Sequence, residues 1–275
     1  MPPAIMGEAS KDMEKKPFAT PKQYAVCSTI LCVIVFLISG ITLYMSGIGH
    51  DAALLLGGIT GLIMYLIKER SLHLKEQIQK FDVTVPIMFF LLNWTGSELA
   101  SSVFGLIAGS FSSMDPGRDQ VYDHTMLSVV IGTVIIAPIG EELMFRLCSM
   151  GLLKKCSSKM FTIMFPTVIF TLMHAFYSIQ GLINVFAGAV FIAICYYYTE
   201  NIIYTILVHI LHNLLCVPDF FNSLGTYHSG YSVLRPFPFV VYAVIFAAGM
   251  VWFIKAFRKK YDAETGPVQA DTDIK

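Results

Sequence analysis

Glu141 and Glu142 stand side by side in the apolar run Pro138-Ile139-Gly140-Glu141-Glu142-Leu143-Met144-Phe145-Arg146. Arg146 follows the second carboxylate at the i,i+4 spacing that puts two side chains on one helical face. Glu142 and Arg146 can therefore neutralise each other. Glu141 points about 100° away around the helix, lacks that partner and is left for chemistry. Two further polar groups interrupt apolar runs: Phe170-Thr171-Leu172-Met173-His174, and His209-Ile210-Leu211-His212-Asn213. His209 and Asn213 share a face, and His212 is offset from both. Taken alone, each resembles a structural hydrogen-bonding residue between packed helices. Together they need another reason, because ionisable groups in so apolar a setting are costly.

A carboxylate beside an imidazole can activate water. A second histidine and an asparagine on a facing helix can stabilise an oxyanion. Such a set suits hydrolysis of an amide. No Ser or Cys stands in a base–nucleophile motif, which disfavours a covalent route. One Glu with two His is also a zinc donor set. H-E-x-x-H is absent, however, and Arg146 brings positive charge to the same place. The expectation is therefore no cofactor, with zinc as the alternative.

These residues have to be positioned by membrane helices. Of the 275 residues, 55% are apolar and only 14% charged, and the mean hydropathy is +0.65. That is a membrane composition. The net charge of zero offers nothing to nucleic acid. Eight apolar runs can be drawn, at 24–48, 52–67, 83–109, 124–153, 160–177, 179–198, 202–216 and 237–257. The expected fold is an all-α, polytopic membrane helix bundle of about eight transmembrane helices. The first run is too long for a signal-peptide core and is expected to stay as a span. With both termini cytoplasmic, only Arg118 and Arg235 of the 19 Lys and Arg residues fall on the far side, and Arg146 falls inside the membrane. So skewed a split supports the map and the orientation. The expected organisation is a polar N-terminal tail (1–22), a transmembrane domain (23–258) and a polar C-terminal tail (259–275). Disorder is expected at 1–20 and 261–275. The tail ends in Asp273-Ile274-Lys275, so it carries no prenylation box. Asp115-Pro116-Gly117 signals a turn in the loop 110–123, and 72–81 reads as a surface helix. The six cysteines, in or beside apolar runs, read as reduced packing thiols.

Depth ties the three groups together. At about 1.5 Å per residue, Glu141 lies ~20 Å in from Lys154 and His174 ~22 Å in from Lys159. By the same rise, His209 and Asn213 lie ~12 and ~18 Å in from Asn201. Glu98, in Asn93-Trp94-Thr95-Gly96-Ser97-Glu98, is another intramembrane carboxylate. It either lines the cavity or pairs with Ser or Thr neighbours.

The ordered triple Glu141-Glu142-x-x-x-Arg146, Phe170-x-x-x-His174 and His209-x-x-x-Asn213 resembles the CPBP family (CAAX proteases and bacteriocin-processing enzymes, also called Abi) over about 125–216. The Ala137-Pro138 lead-in looks more like the bacterial branch. The resemblance implies a glutamate-type intramembrane endopeptidase in the cell membrane, acting on a membrane-associated or prenylated peptide. It implies that Glu141 activates water with His174, Glu142 and Arg146 hold the site in shape, and His209 and Asn213 form the oxyanion hole. Many members carry the label metalloprotease, although a non-metal mechanism suits this residue set better. Two positions depart from the family pattern: Leu147, where Gly is frequent, and Phe191-Ile192-Ala193, where a second small residue is frequent. The alternative function is a non-proteolytic membrane partner, in bacteriocin self-immunity or sensor-kinase control. A transporter is disfavoured, since no inverted repeat is visible.

Overall fold

The computed structural model describes residues 20–45, 50–108, 130–175, 177–224 and 236–265. Among them there are helices and turns and no strand. The helices are α1 (Pro21–Met45), α2 (His50–Glu69), α3 (Leu74–Gln79), α4 (Thr84–Ala108), α5 (130–153), α6 (Lys159–Leu172), α7 (Ile179–Thr199), α8 (Ile202–Leu224) and α9 (Pro236–Thr265). All but α3 answer to the eight apolar runs. The turn signal at 115–117 and both chain ends lie outside the described residues. The surface helix expected at 72–81 is the short α3, which buries no residue. α9 continues to Thr265, so 261–265 are helical and not part of a disordered tail.

The polar connections gather at one end. Lys155 pairs with Glu69, and Lys154 donates to Glu200 Oε1 at 2.6 Å. The Asp82 amide donates to Tyr204 Oη at 2.7 Å, and the Ile202 amide to Gln77 Oε1 at 3.1 Å. Helices α2, α5 and α7 therefore run towards this end, and α4, α6 and α8 away from it. Capping residues start the outward helices: Asp82 accepts from the Thr84 amide before α4, Ser158 from the Phe161 amide in α6, and Asn201 from the Ile203 amide in α8.

Among the described residues, four helices are long and apolar enough to cross a membrane, over Pro21–Leu43, Ala52–Glu69, Ile179–Thr199 and Phe239–Phe257. α6 and α8 supply only shorter apolar stretches, Lys159–Leu172 and Ile202–Cys216. α4 and α5 carry polar and charged residues through their middles, where they are buried against neighbouring helices. Fully 44% of the α7 span is buried but only 6% of the α9 span, so α7 is central and α9 peripheral. α1 and α9 turn Ile34, Ile38, Ile41, Val244 and Val251 outward, as a lipid-facing surface requires. No disulfide joins the six cysteines, and Cys32, Cys148 and Cys195 are buried packing groups.

α5 is not a uniform helix. A regular segment, Ala137–Glu142, is flanked by π-helical turns over Val130–Ile136 and Leu143–Met150. Such turns are rare and recur at functional sites. Two backbones pass unusually close where α2 crosses α5. A Cβ on Gly58 would sit 2.7 Å from Gly140 Cα, and one on Gly140 would sit 2.5 Å from the Leu54 carbonyl oxygen. Glycine at both positions lets α2 clamp the residue immediately before Glu141.

Candidate active site

Glu141, Glu142 and Arg146 project from α5 into the bundle interior, with 7%, 0% and 1% of their surfaces exposed. Glu142 Oε1 is 3.3 Å from Arg146 Nη1, the i,i+4 pair expected from spacing. Arg146 Nη2 donates to the Ala189 carbonyl of α7 at 3.2 Å, and its guanidinium lies 5.1 Å from the centre of the Phe170 ring. A buried guanidinium so held can fix one carboxylate and two helices at once.

His209 arrives from α8 and touches both carboxylates. Its Nδ1 is 2.9 Å from Glu142 Oε1, and its Nε2 is 3.5 Å from Glu141 Oε2. A carboxylate held by Arg146 can only accept, so Nδ1 carries a hydrogen and donates it to Glu142. Nε2 is then the ring atom that faces Glu141. Spacing alone does not reveal this link, because the partners are 67 residues apart.

His174 lies beyond the end of α6, in the turn Met173–Ala175, not within a span as the apolar run 160–177 suggested. The reason is local. The His174 amide turns back to the Thr171 carbonyl at 3.0 Å, leaving the Phe170 carbonyl at the helix end, where backbone partners run out. His174 Nδ1 takes that carbonyl at 2.9 Å. A carbonyl only accepts, so Nδ1–H is the donor. Phe170 is the common neighbour: its ring centre is 4.7 Å from that of His174 and 6.0 Å from that of His209. The phenylalanine of the second motif thus seals one wall of the site.

Asn213, one turn after His209, donates from Nδ2 to the Thr133 carbonyl at 2.9 Å. In π register that carbonyl would take the amide of residue 138, which is a proline without an N–H. Asn213 fills the gap and keeps its second N–H.

Residues 123–215 match the family model described as Rce1-like, type II CAAX prenyl endopeptidase. The segment is similar to this Rce1-like family. No curated protein and no solved structure matches the chain. All six expected residues, Glu141, Glu142, Arg146, His174, His209 and Asn213, lie in the Rce1-like segment, which runs from just before α5 into α8. Among the described residues no group of three or more His, Cys, Asp or Glu side chains is placed to hold a metal ion. Glu142 and His209, which a zinc site would draw on, are committed to each other and to Arg146.

Outside the Rce1-like segment, α4 contributes Asn93, which the motif pattern does not mark. Its Nδ2 donates to the Gly188 carbonyl at 2.7 Å, and its Oδ1 receives His212 Nδ1 at 2.6 Å. Glu98 Oε1 accepts from Asn184 Nδ2 of α7 at 3.3 Å, so an asparagine across the helix interface, not only a local Ser or Thr, engages it. A polar stretch in mid-span was the one available signal for both.

Proposed function

We propose that the chain is an intramembrane endopeptidase that hydrolyses a peptide bond of a membrane-associated, CAAX-type substrate with water activated by Glu141. The supporting observation is the buried contact of Glu141 and Glu142 from α5 with His209 from α8, within an Rce1-like segment. Glu141 is the carboxylate not tied to Arg146, and it takes a proton from water. His174, held through Nδ1 by the Phe170 carbonyl, shares that water. The new hydroxide attacks the scissile carbonyl carbon. The second N–H of Asn213, and His209 Nε2 when that atom also carries a hydrogen, then donate to the developing oxyanion, where fixed donors in a dry site act most strongly. On collapse, the proton held by Glu141 passes to the leaving amine, and the C–N bond breaks. Glu142 and Arg146 stay a closed pair and hold His209 by its other nitrogen. No step passes through a metal.

The experiment is cleavage of a small panel of prenylated and unprenylated peptides by the purified protein in liposomes. Glu141→Ala and His174→Ala are each expected to reduce cleavage by about 10²-fold or more, and a chelator should leave the wild type unchanged. Cleavage lost with chelator would move the chemistry to a metal. Full activity in both variants would end the glutamate reading.

A further inference from the structure

The polar contacts around the site close into a ring through four helices. From α5, Glu142 binds His209 of α8 and pairs with Arg146. Arg146 donates to the Ala189 carbonyl of α7, and the adjacent Gly188 carbonyl receives Asn93 of α4. Asn93 Oδ1 then receives His212 Nδ1, which returns to α8 less than one turn from His209. Consecutive carbonyls of α7 are thus held by two different helices, one by α5 and one by α4. Gly188 makes the approach possible: a Cβ there would stand 3.2 Å from Asn93 Nδ2. Asn93 is 1% exposed, and both its donor and its acceptor are spent in fixed directions. Trp94 packs edge-on against the His212 ring at 5.4 Å and bars it from swinging away.

The geometry points to Asn93, through His212, as a positioning residue for the peptidase site. Neither side chain contacts Glu141 or Glu142 in the hydrogen bonds above. Three residues at 100° each leave His212 about 60° from His209 around α8, yet the two rings meet different helices, α4 and α5. Fixing one therefore fixes the rotation of α8 and the aim of the other. If α8 turned by about 20°, an imidazole ~6 Å from the helix axis would move by about 2 Å, enough to break a hydrogen bond of ordinary length. Asn93 lies outside the Rce1-like segment, so the rotation of the oxyanion helix is set from a part of the chain the family match does not include. The inference rests on the proposed peptidase activity for its kinetic arm only.

The test compares the full-length wild type with Asn93→Leu, His212→Phe and His212→Asn in one detergent. Two quantities are read: kcat and KM on the peptide of the panel that is cleaved best, and the ring ¹⁵N resonances of His209, assigned by their loss in His209→Gln. Asn93→Leu and His212→Phe should each lower kcat by about 10- to 100-fold, leave KM within about twofold and shift the His209 resonances. His212→Asn, whose amide can donate from nearly the same place as Nδ1, should recover most of the loss. A merely space-filling role predicts no difference between His212→Phe and His212→Asn, and that equality would overturn the proposal. Unchanged kcat with unmoved resonances would overturn it too, as would loss of the folded state in both Asn93→Leu and His212→Phe. The resonances need no substrate. A wild type that cleaves none of the panel therefore counts against the peptidase reading, while the resonance shift still decides the positioning role.

Discussion

At the scale of single residues, one imidazole joins two carboxylates that have different surroundings. Glu142 is fully buried, with a guanidinium on one side and His209 Nδ1 on the other; Glu141 meets the far nitrogen of the same ring. In the proposed mechanism, that asymmetry gives the structural role to Glu142 and leaves Glu141 for water. It also predicts opposite phenotypes. Arg146→Met strands a buried carboxylate and should destabilise the fold by about 3–5 kcal/mol, read as a lower thermal midpoint in detergent. Adding Glu142→Gln to Arg146→Met should return part of that midpoint, because the uncompensated charge is gone. A double variant no more stable than Arg146→Met alone would contradict the pairing. The Glu142–Arg146 contact was legible from i,i+4 spacing. The bridge through His209 was not, since a contact across 67 residues leaves no periodic trace.

At the scale of elements, the site depends on how closely α2 and α5 approach. Gly140 meets the Leu54 backbone, so a methyl group there must separate the helices and carry Glu141 with them. Gly140→Ala should cost about 1–3 kcal/mol by overpacking, and should reduce cleavage by more than Gly40→Ala does. Gly40 is the control, because a Cβ there meets only Ala53 at an ordinary 3.8 Å. Equal effects of the two substitutions, in melting and in activity, would remove α2 from the site's support. The run boundaries located these helices to within a few residues at most ends. The π-helical turns of α5 were not visible, because apolar residues follow one another there whatever the register. The early end of α6 was missed for a related reason: hydropathy continues past Leu172, while the backbone turns at Met173 so that His174 can take the Phe170 carbonyl.

At the scale of the whole molecule, alternating helix directions collect the charged connections at one end. There Lys154, Lys155 and Lys159 meet Glu200, Glu69 and Tyr198. Basic segments favour the cytoplasmic side, so Ser71→Cys and Lys155→Cys should react with an impermeant thiol reagent from the same side of sealed vesicles, the cytoplasmic one. Removing Cys27, Cys156 and Cys216 beforehand clears the background. Labelling of the two positions from opposite faces would break the proposed topology. The skew of Lys and Arg made this arrangement legible. What composition could not convey is that α4 and α5 bury their polar residues against one another's neighbours, which is why an average over either helix understates its place in the bundle.

The most direct measurement is the cleavage rate of Glu141→Gln beside the wild type, in preparations whose thermal midpoints are also recorded. Gln keeps the size of the side chain and removes its capacity to take a proton. The expected result is a loss of about 10²- to 10⁴-fold in kcat with a midpoint close to that of the wild type. A Glu141→Gln protein that melts like the wild type and cleaves at its rate would show that water is not activated at Glu141.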